Sequence, residues 1–215
     1  MKVVFAGPSL HGLDRSRWPE VEIRPPAGVG DVIAAAKAGA AAIGLIDGVF
    51  EQQRSVWHKE ILGALRMGAA VLGAASLGAL RAVECEAFGM VGIGEIFREY
   101  RDGRRHLDAD LAVTFGPAAL DYVPLSVAQV DLEHSLRHIL ALGLVTAPEA
   151  AAIRQISGAM FFKTRTLDRL AAACPAPAKG DLGEMLRRHW VDRKQRDARL
   201  LLDAMSDGAS LATVA

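Results

Sequence analysis

Short apolar runs alternate with helical stretches through the first half of the chain. Val3–Ala6 ends in Gly7-Pro8-Ser9, Ile43–Ile46 ends in Asp47-Gly48, and Ala70–Ala75 leads into Ser76. Each reads as a buried strand opening into a turn. Val21-Glu-Ile-Arg24 alternates as a half-buried strand does, and Pro25-Pro26 stops the pairing because proline has no N–H to give. Between these runs the composition predicts helices over Val32–Ala38, with Asp31 as cap, over about Ser55–Met67, and over Gly78–Ala87. The alternation predicts an α/β fold for residues 1–115, with an N-terminal parallel, Rossmann-like sheet carrying helices on both faces. Leu111–Phe115 is expected to add a strand. Gly89–Gly94 matches neither glycine-rich nucleotide fingerprint and reads as a flexible connection.

Residues 116–215 read as an all-helical C-terminal region packed on that core. Val127, Val130, Leu136, Ile139 and Leu140 suit one apolar helix face, with Gly143 as its stop. Thr146-Ala-Pro-Glu149 is a capping box, a specific helix start. Further helices are expected from about Thr164 to Ala173 and, after a linker at Pro175–Gly180, from Leu182 toward Leu201. The last carries Arg187, Arg188, Arg193, Lys194, Arg196 and Arg199, interrupted by Asp192 and Asp197, which fits a solvated face or a protein-docking surface.

The charges balance at 25 basic and 25 acidic residues, so no global field favours nucleic acid or an anionic membrane. No apolar run approaches the roughly 20 residues of a membrane span, and the start is not a signal peptide, which predicts a cytoplasmic protein. Cys85 and Cys174 are too few for a disulfide framework. His134 and His138 are spaced i, i+4 without a third ligand, so neither a metal nor another cofactor is expected.

Right-handed crossovers bring the strand carboxyl ends to one edge, where ligands of open α/β sheets bind. That edge collects Gly7, Ser9, Pro26, Asp47 and Ser76. Ser76 lies at a strand-to-helix turn, where it can serve as a helix N-cap or as a nucleophile, with the N–H groups of Leu77 and Gly78 facing an oxyanion. A nucleophilic hydroxyl needs a base, and the helix before the Ser76 strand offers Lys59, with His58 as second choice. Lys59 qualifies only where its surroundings keep a fraction neutral; an exposed, ion-paired lysine is the plainer reading. Asp47 can orient Lys59 or simply close an Asp-Gly turn, and Arg81 and Glu84 are placed to pair with each other.

Several strings together resemble the TfuA-like proteins: Val4-Phe-Ala-Gly-Pro-Ser-Leu10, Pro25-Pro-Ala27 with Gly30-Asp31, Ile46-Asp-Gly48 with Phe50, Trp57-His-Lys-Glu-Ile61, Gly73–Ala82 with Glu84, and Phe88-Gly-Met90 with Gly92 and Gly94. The resemblance covers roughly the first 115 residues. It implies a partner of YcaO enzymes in peptide backbone thioamidation, one that hydrolyses a thiocarboxylated ThiS-type ubiquitin-like sulfur carrier and helps YcaO engage its peptide. It also implies a Ser-Lys pair, which falls on Ser76 and Lys59, with Ser9 as the rival serine. The competing expectation is a non-catalytic protein that bridges YcaO, its peptide substrate and the carrier.

Overall fold

A computed structural model of the chain describes residues 1–49 and 54–206; Phe50, part of one string above, lies outside them. Five parallel strands, β1 (Lys2–Phe5), β2 (Val21–Arg24), β3 (Ala42–Leu45), β4 (Ala70–Ala74) and β5 (Val91–Ile93), form one sheet in the order β2-β1-β3-β4-β5. Helices α1 (Asp31–Lys37), α2 (His58–Arg66), α3 (Leu77–Cys85) and α4 (Gly94–Arg101) link or follow the strands. The chain runs outward in both directions from β1 and β3, so the loops after these two strands part at a topological switch point.

Two compact units divide the chain. Among the described residues, the first holds 1–49, 54–106, 118–122 and 194–206. Its sheet is apolar on both faces, as a sheet covered on both sides must be. Successive strand residues point to opposite faces. Val4, Leu72 and Ala74 accordingly share one core cluster with Ala198, Leu201, Leu202 and Met205 of α9 (Arg193–Ser206), while their neighbour Gly73 meets α3 on the opposite side. Gly44 is what admits α9: a Cβ there would lie 2.6 Å from Leu201 Cδ2 and 2.8 Å from Met205 Sδ. Gly78 brings α3 equally close, since a Cβ on it would sit 1.7 Å from the Leu45 carbonyl oxygen.

The second unit holds residues 107–117 and 123–193. Helices α5 (Gln129–Ala141), α6 (Ala147–Ala159), α7 (Leu167–Ala173) and α8 (Leu182–Arg188) bury Leu132, Leu136, Ile139, Ile153, Leu170 and Leu186 together. Arg165 is buried among them and donates to the carbonyls of Ser157, Met160 and Val127; burial pushes its guanidinium below the usual arginine range.

Four local expectations differ from this architecture. Gly89–Gly94 is not a loose connection but contains β5, and the N–H of Ile96 at the start of α4 is capped by Asp197, a carboxylate with no exposure. Leu111–Phe115 forms no strand; only an isolated bridge joins Phe115 to Pro124. The single final helix is two, because the chain breaks at residues 189–192, and α9 is half core rather than a solvated basic rod. Asp31 begins α1 and accepts from the Gly28 N–H instead of capping the helix from outside.

Candidate functional site

β1 and β3 both end in buried polar residues. Asp47, 2 % exposed, accepts hydrogen bonds from the Gly7 N–H at 2.9 Å, the Ser9 N–H at 3.0 Å and the Ser9 hydroxyl at 2.7 Å. A carboxylate taken out of water needs such donors, and here they tie the two loops together at the switch point. Pro26 closes the floor, since a Cβ on Gly7 would meet Pro26 Cγ at 2.5 Å. The sequence therefore selected these residues correctly as neighbours. Ser9, itself 2 % exposed, spends its hydroxyl on Asp47, and Asp47 is bound to the β1 loop rather than to Lys59.

The next strand presents Ser76 differently. The Ser76 N–H donates to the Ala74 carbonyl at 2.8 Å across Ala75, which has φ +64°. This is the rare three-residue turn that places a non-glycine residue in a strained region. Ser76 stands at the N-cap position of α3, yet its side chain makes no cap bond, and its partly exposed hydroxyl has no hydrogen-bond partner among the described residues. The Leu77 N–H likewise has no hydrogen-bond partner among the described residues. Gly78 departs from expectation: its N–H donates to the Ile46 carbonyl at 3.1 Å, which removes it as an oxyanion donor in this conformation. The Leu77 side chain fills the space over Gly48, with its Cδ2 2.0 Å from where a Cβ would stand.

Lys59 and His58 open α2. His58 Nε2 pairs with Glu84 Oε2 at 2.8 Å, and Glu84 also accepts from Arg81, whose Nε donates to the Val56 carbonyl. Glu84 lies eight residues beyond Ser76, about 12 Å along α3 at 1.5 Å per residue. His58 is thus turned toward the C-terminal end of α3, away from Ser76. Lys59 is exposed, and among the described residues no hydrogen bond or ion pair joins it to Ser76 or to a glutamate. Glu60, in the same string, is structural: buried, it accepts from the N–H groups of Gly30 and Trp57.

One feature at this edge carried no signal in the sequence. Asp121 and Tyr122 have φ +49° and +52°, and with Ala75 they are the non-glycine residues of positive φ among those described. Tyr122 sits against the β1 loop, its Cγ 3.2 Å from a Cβ built on Gly7. A tyrosine in that backbone region is unexpected from composition, because glycine, asparagine and aspartate are the residues that adopt it easily. A separate cleft of about 460 Å³ runs along β5 beside Phe97, Arg98 and Leu200, and contains none of Ser9, Asp47, Lys59 or Ser76. Cys85 and Cys174 are buried, which pushes both thiols up. No described helix is long and apolar enough to cross a membrane, and among the described residues no three His, Cys, Asp or Glu side chains gather to hold a metal.

No curated protein matches the sequence. The model of the TfuA-like protein family matches residues 47–166, which takes in Asp47, the α2 start, the Ser76 turn and Tyr122, and reaches further into the helical half than the strings in the first 115 residues suggested. The β1 and β2 loops fall outside the matched range. With more than half of its length matched, this chain belongs to the TfuA-like family, accessory partners of YcaO enzymes.

Proposed function

We propose that this protein releases sulfide from a thiocarboxylated ThiS-type carrier for YcaO-dependent peptide thioamidation, with Ser76 as nucleophile. The observation that carries this reading is the strained Ala75 turn, which offers Ser76 with a hydroxyl that caps nothing. Strain of this kind costs on the order of 1–3 kcal/mol and is found where a side chain must be presented. Between the two serines the geometry favours Ser76, since Ser9 is buried and engaged.

In the reaction, Ser76 Oγ attacks the thiocarboxylate carbonyl while its proton passes to neutral Lys59. The Leu77 N–H faces the developing oxyanion. The tetrahedral intermediate collapses as its C–S bond breaks; the sulfide takes the proton back from the Lys59 ammonium and leaves as hydrosulfide, giving an ester on Ser76 and a neutral amine. Water, deprotonated by the same amine, then attacks the ester and frees the carrier as a carboxylate. Lys59 is exposed in the isolated protein, so in this scheme the docked carrier covers it and brings the amine to the Ser76 hydroxyl.

Sulfide release from thiocarboxylated carrier tests the scheme. Ser76→Ala is expected to abolish turnover, Lys59→Met to slow it about 100-fold or more, and Ser9→Ala to retain the nucleophile. Wild-type rates in both Ser76→Ala and Lys59→Met sink it. The second reading, a non-catalytic bridge between carrier and YcaO, is favoured by the engaged Gly78 N–H and by a Lys59 that has no bond to Ser76 among the described residues. It predicts that wild type binds the carrier and releases no sulfide.

A further inference from the structure

We infer that the Asp121–Tyr122 turn is a built substrate subsite, in which the Tyr122 ring holds an extended peptide tail about three residues ahead of the group that reaches Ser76. The inference rests on the functional reading above for the identity of the reacting end. Its structural basis is independent of that chemistry.

Two consecutive non-glycine residues of positive φ do not persist unless their surroundings over-determine them. Here the anchoring is visible. The Asp121 carboxylate accepts from the Gly12 N–H at 3.1 Å and from the Arg15 guanidinium. The Asp121 carbonyl lies 2.9 Å from His11 Nδ1, and the His11 carbonyl is in turn bound by Gln195 Nε2 at 3.0 Å. The β1 loop thus holds the turn, and Gln195 of α9 braces that loop. What this arrangement delivers is the Tyr122 ring, partly exposed and set against Gly7 at the end of β1. Gly7 leaves room for it, because any Cβ at that position would press on both Pro26 and Tyr122.

The distance follows from the sheet. Tyr122 stands at the end of β1 and Ser76 follows β4, with β3 between them. Strands are about 4.8 Å apart, so the two residues are separated by roughly 10 Å across the edge. An extended chain rises about 3.3 Å per residue, so three residues span that gap. Between them Gly48 and the Leu77 side chain laid over it are partly exposed, with Gly7 and Pro26 buried beneath, which suits a narrow, unbranched tail lying across the strand ends. A compact small molecule would reach one end of this edge and not the other.

The test uses peptides from the C-terminal tail of the carrier, ending in the ordinary carboxylate and bound to the Ser76→Ala protein, so that turnover plays no part. The six-residue tail is expected to bind at least about tenfold more tightly than the two-residue tail, as burial of one aromatic contact allows. Tyr122→Asn, which keeps a residue tolerant of this backbone but removes the ring, is expected to lose that length dependence in a protein that remains folded by circular dichroism. Tyr122→Phe is expected to keep it. Tyr122→Gly supplies a second ring-free variant in which the backbone cost is also relieved. Retention of the length dependence in Tyr122→Asn and Tyr122→Gly, or no binding of the six-residue tail to the parent protein, overturns the subsite. A persistent length dependence in a protein that releases no sulfide from thiocarboxylated carrier overturns the hydrolase reading and leaves the subsite standing.

Discussion

Helices α6, α7 and α8 begin under side-chain caps, from Thr146, Thr166 and Asp181, whereas α3 begins at Ser76 with its hydroxyl idle. The contrast extends to the backbone. Among the described residues, the non-glycine residues of positive φ all lie at the carboxyl edge of the sheet, and the unit of residues 107–117 and 123–193 has none. At these three helix starts, local signals and native contacts agree, as minimally frustrated sequences require. At the sheet edge they conflict, and the conflict falls on Ala75 and Tyr122. A region that gives up stability in this way is where function is expected to reside.

The largest effect should come from cutting the network that holds the edge together. Asp47→Ala leaves two N–H groups and a hydroxyl without their acceptor, and is expected to lower stability by about 3 kcal/mol in urea unfolding. A loss under about 1 kcal/mol would mean that water replaces the carboxylate and that the edge is less closed than described.

Next in size is a change confined to the relaxed unit. Thr146→Ala removes the cap of α6 and is expected to cost about 1 kcal/mol, with sulfide release unchanged. Reduced turnover at full folding would show that the two regions are not separate in purpose.

Ala75→Gly reverses the sign. Glycine accepts φ +64° without penalty, so the variant is expected to gain up to about 1 kcal/mol in thermal unfolding while turnover falls, because the turn no longer fixes Ser76. Equal or higher turnover would show that the strained turn does not hold Ser76 for reaction.

The smallest effect is on pH. Burial alone would raise the Asp121 carboxyl, but the Gly12 N–H and the Arg15 cation outweigh it and hold the group below the usual aspartate range. A carboxyl lowered in the folded state contributes stability that is complete above its unfolded value of about 3.9 and is lost as pH falls through the folded one. The Tm difference between wild type and Asp121→Asn should therefore be present at pH 7 and shrink below about pH 4. A difference independent of pH would show that Asp121 holds the turn by shape rather than by charge, with His11 and Arg15 as bystanders.

Much of the fold was legible because it is written in local terms. Alternating apolar runs marked β1 to β4, and the capping box at Thr146 marked α6. The misreadings share a cause. The glycines of Gly89–Gly94 suggested a loop, and only pairing with β4 and the carboxylate of Asp197, about a hundred residues away in sequence, make it a strand and a helix start. Asp192 and Asp197 read alike as breaks in a basic face, while packing buries Asp197 completely.

The site divides in the same way. Sequence alone determined that Gly7, Ser9, Pro26, Asp47 and Ser76 would gather at one edge, because parallel strands with right-handed crossovers have no other way to place their carboxyl ends. It could not choose between Ser9 and Ser76, since the choice depends on a hydrogen bond spanning 38 residues that occupies one hydroxyl and leaves the other idle. Nor could it find Tyr122. A positive φ at a tyrosine is imposed from outside by Gly12, Arg15 and His11, and a backbone conformation held by tertiary contacts against local preference leaves no trace in local preference.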